Sequence, residues 1–93
     1  MFKLLFPESY EEKVRKFLRK HQEITNQYQK TLRLLELNPF HPSLRLHRFK
    51  TTSFEAYSVS INLSYRIALE FIIKDKEIFL INIGDHQEIY GKK

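Results

Sequence analysis

The sequence predicts an α+β fold: one domain over residues 1–93, ordered β-α-α-β-β-β-β, with a helical hairpin packed on one face of a twisted, mainly antiparallel sheet. Three observations carry this expectation. Apolar residues recur at helical spacing as far as Leu37, and after Pro42 they alternate with period 2. The later apolar segments are joined by short polar reversals, which build a meander and leave no room for helical crossovers. The chain of 93 residues is 42% hydrophobic and 14% aromatic, with two glycines and three prolines, so it can form one core and shows no internal linker.

Each element has its own signature. Phe2, Leu4 and Phe6 alternate with Lys3 and Leu5 until Pro7, so residues 2–6 read as a strand. Ser9 and Glu12 have capping-box spacing, and Tyr10, Val14, Phe17 and Leu18 mark one face of a basic helix that runs to about Lys20. Ile24, Tyr28, Thr31, Leu32 and Leu35 form a second stripe, halted at Asn38-Pro39 because the residue before a proline avoids the helical region. Leu44 and Leu46 alternate with Arg45 and His47 in a short strand, and Thr51-Thr52-Ser53 reads as a loop. Tyr57, Val59 and Ile61 alternate with Ala56, Ser58 and Ser60, and Asn62-Leu63-Ser64 turns the chain. Ile67, Leu69, Phe71 and Ile73 then share one face, followed by a reversal at Lys74-Asp75-Lys76. Ile78 to Ile83 is apolar almost throughout, which predicts a central strand buried on both sides. Gly84 opens a polar tail.

A helical hairpin covers only one face of such a sheet. Strand alternation sends Ser58, Ser60, Arg66 and Glu70 to the other face, with Arg45 and His47 on a neighbouring strand, and a ligand is expected there. Sixteen Lys and Arg against eleven Asp and Glu give a net charge of +5, which favours an acidic or polyanionic partner. The absence of cysteine excludes disulfides, thiolate zinc sites and cysteine nucleophiles, and suits a reducing cytoplasm. No apolar run approaches the roughly 20 residues of a bilayer span and no signal-peptide core is present, so a soluble cytoplasmic protein with no membrane partner is expected. The four histidines, at positions 21, 41, 47 and 86, lack metal-ligand spacing. With no glycine-rich phosphate loop either, neither a metal nor a small-molecule cofactor is expected.

The string Gly84-Asp85-His86-Gln87-Glu88-Ile89-Tyr90 places a histidine and a tyrosine at the rim of the polar face, where His86 either serves the turn or meets a ligand. Arg66 offers a bidentate fork to phosphate or carboxylate, or else pairs across strands with Glu70 or Glu55. His47 stands among Arg45, Arg48 and Lys50, cations that disfavour a further positive charge and keep the imidazole able to accept a proton. Those three cations are the RNA-binding candidates, whereas the basic run of the first helix, Lys13 to Lys20, reads as a solvated face. A histidine as base, a second histidine or a tyrosine as acid, and an arginine for phosphorane charge are the parts needed to cleave RNA through its own 2′-hydroxyl without metal.

The element order and four strings, Leu44 to Phe49 (LRLHRF), Tyr57 to Ile61 (YSVSI), Tyr65-Arg66-Ile67 and Ile83 to Tyr90 (IGDHQEIY), resemble the RelE/ParE superfamily over essentially the whole chain. These are small basic toxins of type II toxin-antitoxin pairs. The similarity is to the branch of ribosome-dependent mRNA endonucleases that includes RelE, YafQ and YoeB. It implies a catalytic set of His47, Arg66, His86 and Tyr90, a cognate acidic antitoxin, and mRNA on the ribosome as substrate. The chain departs from the YafQ-like pattern by carrying Ile61 and Tyr65 where that pattern has a further histidine and an aspartate, and Thr51-Thr52-Ser53 replaces a glycine-containing loop. The sibling ParE branch, which inhibits DNA gyrase, is the alternative the resemblance leaves, together with a fold relative that has lost activity.

Overall fold

The computed structural model describes residues 1–50 and 55–91. In chain order the elements are β1 (Lys3–Leu5), α1 (Glu8–Lys20), α2 (Thr25–Leu37), β2 (His47–Lys50), β3 (Glu55–Ser60), β4 (Arg66–Ile72), β5 (Glu77–Gly84) and α3 (His86–Tyr90). Short 3₁₀ turns lie at Gln22–Ile24, Pro42–Leu44 and Ile73–Asp75. The expected loop at Thr51-Thr52-Ser53 lies outside the described residues. Among those described, no helix is long and apolar enough to cross a membrane.

The α1 and α2 stripes meet the sheet as their spacing requires. Tyr10 and Phe17 of α1 and Tyr28, Thr31 and Leu35 of α2 are buried, with Ile24 in the turn between the helices. The hydroxyls of Tyr10 and Tyr28 lie 2.8 Å apart and join the two helices inside the core. Glu8 and Glu11 at the start of α1, and Arg19 and Lys20 at its end, complement the helix dipole. The expected Ser9/Glu12 capping box does not form. Pro7, with ψ at 152°, is the residue before the helix, so Ser9 is already helical, and no side chain caps α1. Asn38, extended before Pro39, ends α2 as expected.

The sheet order is β1-β5-β4-β3-β2, with β1 parallel to β5 and every other pair antiparallel. Strands β2 to β5 thus form the expected meander. The central strand is β4, buried continuously from Arg66 to Leu69, while β5 lies between β4 and the short β1. The apolar run of β5 has a different cause from burial on both faces. Ala68 faces Asn82 but Leu69 faces Leu80, so Ile81 is the extra residue of a bulge. That extra residue lets Ile78, Leu80 and Ile83 all enter the core, although 80 and 83 have opposite parity.

Two further segments depart from expectation. Leu44 and Arg45 are not in a strand. Pro42 suits the first position of a 3₁₀ turn, the ring of His41 accepts the Ser43 N–H at 3.1 Å, and Leu44 fills the core from that turn. Arg45 then takes φ 50° and ψ 53°, a left-handed conformation that costs a non-glycine residue roughly 1–2 kcal/mol, and β2 starts only at His47. The second departure is α3. Asp85 Oδ1 accepts the Glu88 N–H at 2.9 Å and Glu88 Oε1 accepts the Asp85 N–H at 2.8 Å, a reciprocal capping box that turns the expected tail into a helix. At Gly84 a Cβ would stand 2.7 Å from Glu88 Cβ, so only glycine lets the chain fold back this closely.

Candidate active site

Strand parity decides which side chains reach the face opposite the hairpin. His47 pairs with Ser58 and Ser58 with Ala68, while Arg66 pairs with Ser60 and Gly84, so this face carries His47, Phe49, Ser58 and Arg66. The face is not open, because α3 lies across it. Ile89 is buried, the Asn82 side chain donates to the Glu88 carbonyl at 3.2 Å, and the Tyr90 hydroxyl lies 2.6 Å from Ser58 Oγ.

Arg45, Leu46, His47, Arg66, His86 and Tyr90 line one cavity of about 390 Å³. His86 and Tyr90 are four residues apart on α3 and share a helix face, with ring centroids 5.6 Å apart. The Tyr90 ring stands edge-on to His47 at 5.8 Å and to Phe49 at 4.9 Å. His47 and His86 are exposed and Tyr90 is half-buried. Arg48 and Lys50 are not part of this cavity. They alternate with His47 and Phe49 along β2, and Arg48 lies 3.9 Å from Glu55. A larger groove of about 640 Å³ runs between Lys13, Lys16 and Lys20 of α1 and Glu88 of α3. Arg19 and His21 line it as well, but with a single imidazole and no tyrosine it lacks the paired acid and base that proton transfer at a phosphate would use.

Arg66 has an unusual setting. It is 8% exposed, yet among the described residues its hydrogen bonds go to neutral oxygens: Nε donates to Ser58 Oγ at 2.9 Å, and one terminal nitrogen donates to the Arg45 carbonyl at 2.7 Å and to the Ser58 carbonyl at 3.2 Å. Neither Glu70 nor Glu55 pairs with it, and no ion pair to Arg66 forms among the described residues. A charge withdrawn from water without a counter-charge costs on the order of several kcal/mol. The left-handed turn at Arg45 aims a carbonyl at that charge, which holds the guanidinium in place without neutralising it. An anion entering the cavity would supply the missing counter-charge.

The sequence pattern did not reveal Phe49 as a wall of the tyrosine pocket, nor Ser58 as the partner of both Arg66 and Tyr90. The alternation of Ser58 with Tyr57 and Val59 marked its face, but its partners depend on the register of three strands and on α3. Among the described residues no cluster of three His, Asp, Glu or Cys side chains is placed to hold a metal ion.

No family model and no curated protein sequence matches the chain. Solved structures do. YafQ from Escherichia coli superimposes with a TM-score of 0.76 at 14% identity, covering 98% of this chain and 100% of that one, and it is also seen in a DinJ-YafQ toxin-antitoxin complex. A conserved hypothetical protein from Helicobacter pylori is 25% identical with a TM-score of 0.71, covering 97% of this chain and all of the other. RelE in the archaeal RelE-RelB complex from Pyrococcus horikoshii matches at 14% identity and a TM-score of 0.69, covering 90% of this chain and 93% of that one. The chain therefore has the fold of these YafQ- and RelE-type structures.

Proposed function

We propose that this chain is the toxin of a type II toxin-antitoxin pair, an endoribonuclease that cuts mRNA on the ribosome in the cytoplasm. The observation that carries the reading is Arg66, a cation that among the described residues is held at the cavity by neutral acceptors, with two imidazoles and a phenol lining the same space. In this reading His47 takes the proton of the substrate 2′-hydroxyl, whose oxygen attacks the adjacent phosphorus. The guanidinium of Arg66 stabilises the charge that builds on the phosphorane oxygens, and His86 gives its proton to the departing 5′-oxygen. The P–O5′ bond breaks and a 2′,3′-cyclic phosphate remains. The toxin-antitoxin complexes of the fold neighbours support a second component: an acidic antitoxin that covers the cavity and its rim near Arg45, Arg66 and His86.

The test is induction in growing cells with mapping of mRNA 5′ ends, in the wild type and in Arg66→Lys and His86→Gln. Growth arrest with mapped cuts is expected for the wild type. Arg66→Lys keeps a charge but loses the planar fork and is expected to fall at least about 100-fold, the scale of removing one transition-state donor. His86→Gln is expected to fall about 10²–10⁴-fold, the usual worth of general acid–base catalysis. Gyrase poisoning with no mRNA cuts would transfer the chain to the ParE-like reading. Full cleavage by Arg66→Lys would remove Arg66 from the chemistry.

A further inference from the structure

Ser58 is 0% exposed and sits beneath the cavity, on β3 at the register position shared by His47 and Ala68. It holds the Arg66 guanidinium through two atoms: its Oγ accepts from Nε at 2.9 Å and its carbonyl accepts from a terminal nitrogen at 3.2 Å. The same Oγ lies 2.6 Å from the Tyr90 hydroxyl. A guanidinium nitrogen can only donate, so Ser58 Oγ is an acceptor toward Arg66. Among the described residues Tyr90 Oη is the one further partner of Ser58 Oγ, so donating its proton there satisfies the buried serine hydroxyl, while Tyr90 has the cavity it lines for its own proton.

We propose that Ser58 is a positioning residue that orders a chain of hydrogen bonds, from Arg66 N–H to Ser58 Oγ and from Ser58 O–H to Tyr90 Oη, and so turns the proton of Tyr90 out into the cavity. Tyr90 then meets the substrate as a hydrogen-bond donor at a fixed distance from the Arg66 charge. Serine suits the position for steric reasons too. Its register partner Ala68 is small, and a side chain reaching further than Oγ would meet the Tyr90 hydroxyl 2.6 Å away. The inference rests on the proposed ribonuclease reading for its catalytic consequence, but not for the linkage itself.

The test combines kinetics with a spectroscopic signature. Ser58→Ala is expected to lower kcat about 10- to 100-fold, the usual scale for an outer-shell partner, with KM changed less than about two-fold and Ser58→Thr restoring most of the rate. The double variant Ser58→Ala/Tyr90→Phe is expected to be no slower than Tyr90→Phe alone, because both remove one device. Losses that multiply in the double variant, or full kcat in Ser58→Ala, would overturn the proposal. The second arm uses 3-fluorotyrosine and reads the Tyr90 fluorine resonance without RNA. Arg66→Lys is expected to shift that resonance when Ser58 is present and to leave it unmoved in a Ser58→Ala background. A Ser58 that merely fills space would give the same shift in both backgrounds, and that result would sink the linkage. If the wild type cut no RNA, the ribonuclease reading would fall, and the fluorine measurement would still decide the linkage.

Discussion

At the scale of single residues the core and the cavity use hydroxyl pairs for opposite ends. In the core, burial pushes the phenols of Tyr10 and Tyr28 above the ordinary tyrosine range; the neighbouring phenol adds to this for Tyr10, while the shared hydrogen bond pulls Tyr28 the other way and burial outweighs it. Both are protonated in the native state wherever the unfolded chain is also protonated, so their contribution is complete below about pH 10. Above that the unfolded chain releases protons first, so Tyr10 withdraws about 1.4 kcal/mol of stability per pH unit and Tyr28 acts in the same direction. Chemical denaturation between pH 9 and 11.5 is expected to show this decline, and Tyr10→Phe/Tyr28→Phe is expected to flatten it. An identical decline in the double variant would mean that other groups cause it. Tyr10→Phe alone leaves the Tyr28 hydroxyl without its partner and is expected to cost about 1–3 kcal/mol, more than half of what the pair costs together. In the cavity the pair is Ser58 and Tyr90, and there the neighbour is a cation instead of a second phenol.

At the scale of elements the site depends on α3, a helix of five residues, too short to stand without tertiary support. Its capping box holds it in place together with Ile89 beneath and the Asn82 contact to the Glu88 carbonyl. Asp85→Ala removes the N-cap acceptor and is expected to cost about 1 kcal/mol, which for a domain of this size lowers Tm by about 4–8 °C. Cleavage is expected to fall more than tenfold, because His86 and Tyr90 lose their common support, and Asp85→Asn is expected to recover most of it. Hydrogen exchange at the 86–90 amides checks the cause: rapid exchange there with the sheet still protected is the expected pattern. Unchanged exchange would show that α3 does not depend on its cap. The two long helices and the meander were legible in the sequence because many residues repeat one period. A five-residue helix completes little more than one turn, so its only local signal was the Asp85/Glu88 spacing, while the same spacing at Ser9 and Glu12 was preempted by Pro7. The Ile81 bulge was hidden for a related reason: a single inserted residue in an apolar run looks like burial on both faces. Among the site residues, Arg66, His86 and Tyr90 were suggested by local strings. Arg48 and Lys50 were grouped with the site by their charge, whereas their alternation with His47 and Phe49 along β2 turns them away from the cavity.

At the scale of the whole molecule the net charge of +5 is unevenly used. Arg66 is buried without a counter-ion among the described residues, and Arg45 beside it turns its carbonyl to that guanidinium while its own exposed side chain stays at the rim of the cavity. An acidic antitoxin segment would find there an attractive rim and a deeper charge that only a carboxylate or phosphate could neutralise. These two cations are therefore expected to respond differently in the complex. Exposed charges act on the encounter, so Arg45→Glu is expected to slow association and flatten its salt dependence while changing dissociation little. Arg66→Lys acts after docking, at a desolvated contact, and is expected to raise the dissociation rate with association nearly unchanged. Stopped-flow association and dissociation at two ionic strengths measure both, and RNA binding by the complex checks that the cavity is covered. A partner that touches only the exposed faces of α1 and α2, leaves both variants with wild-type kinetics and leaves RNA binding unimpaired would place the antitoxin elsewhere. Arg66 would then keep its charge for the substrate alone.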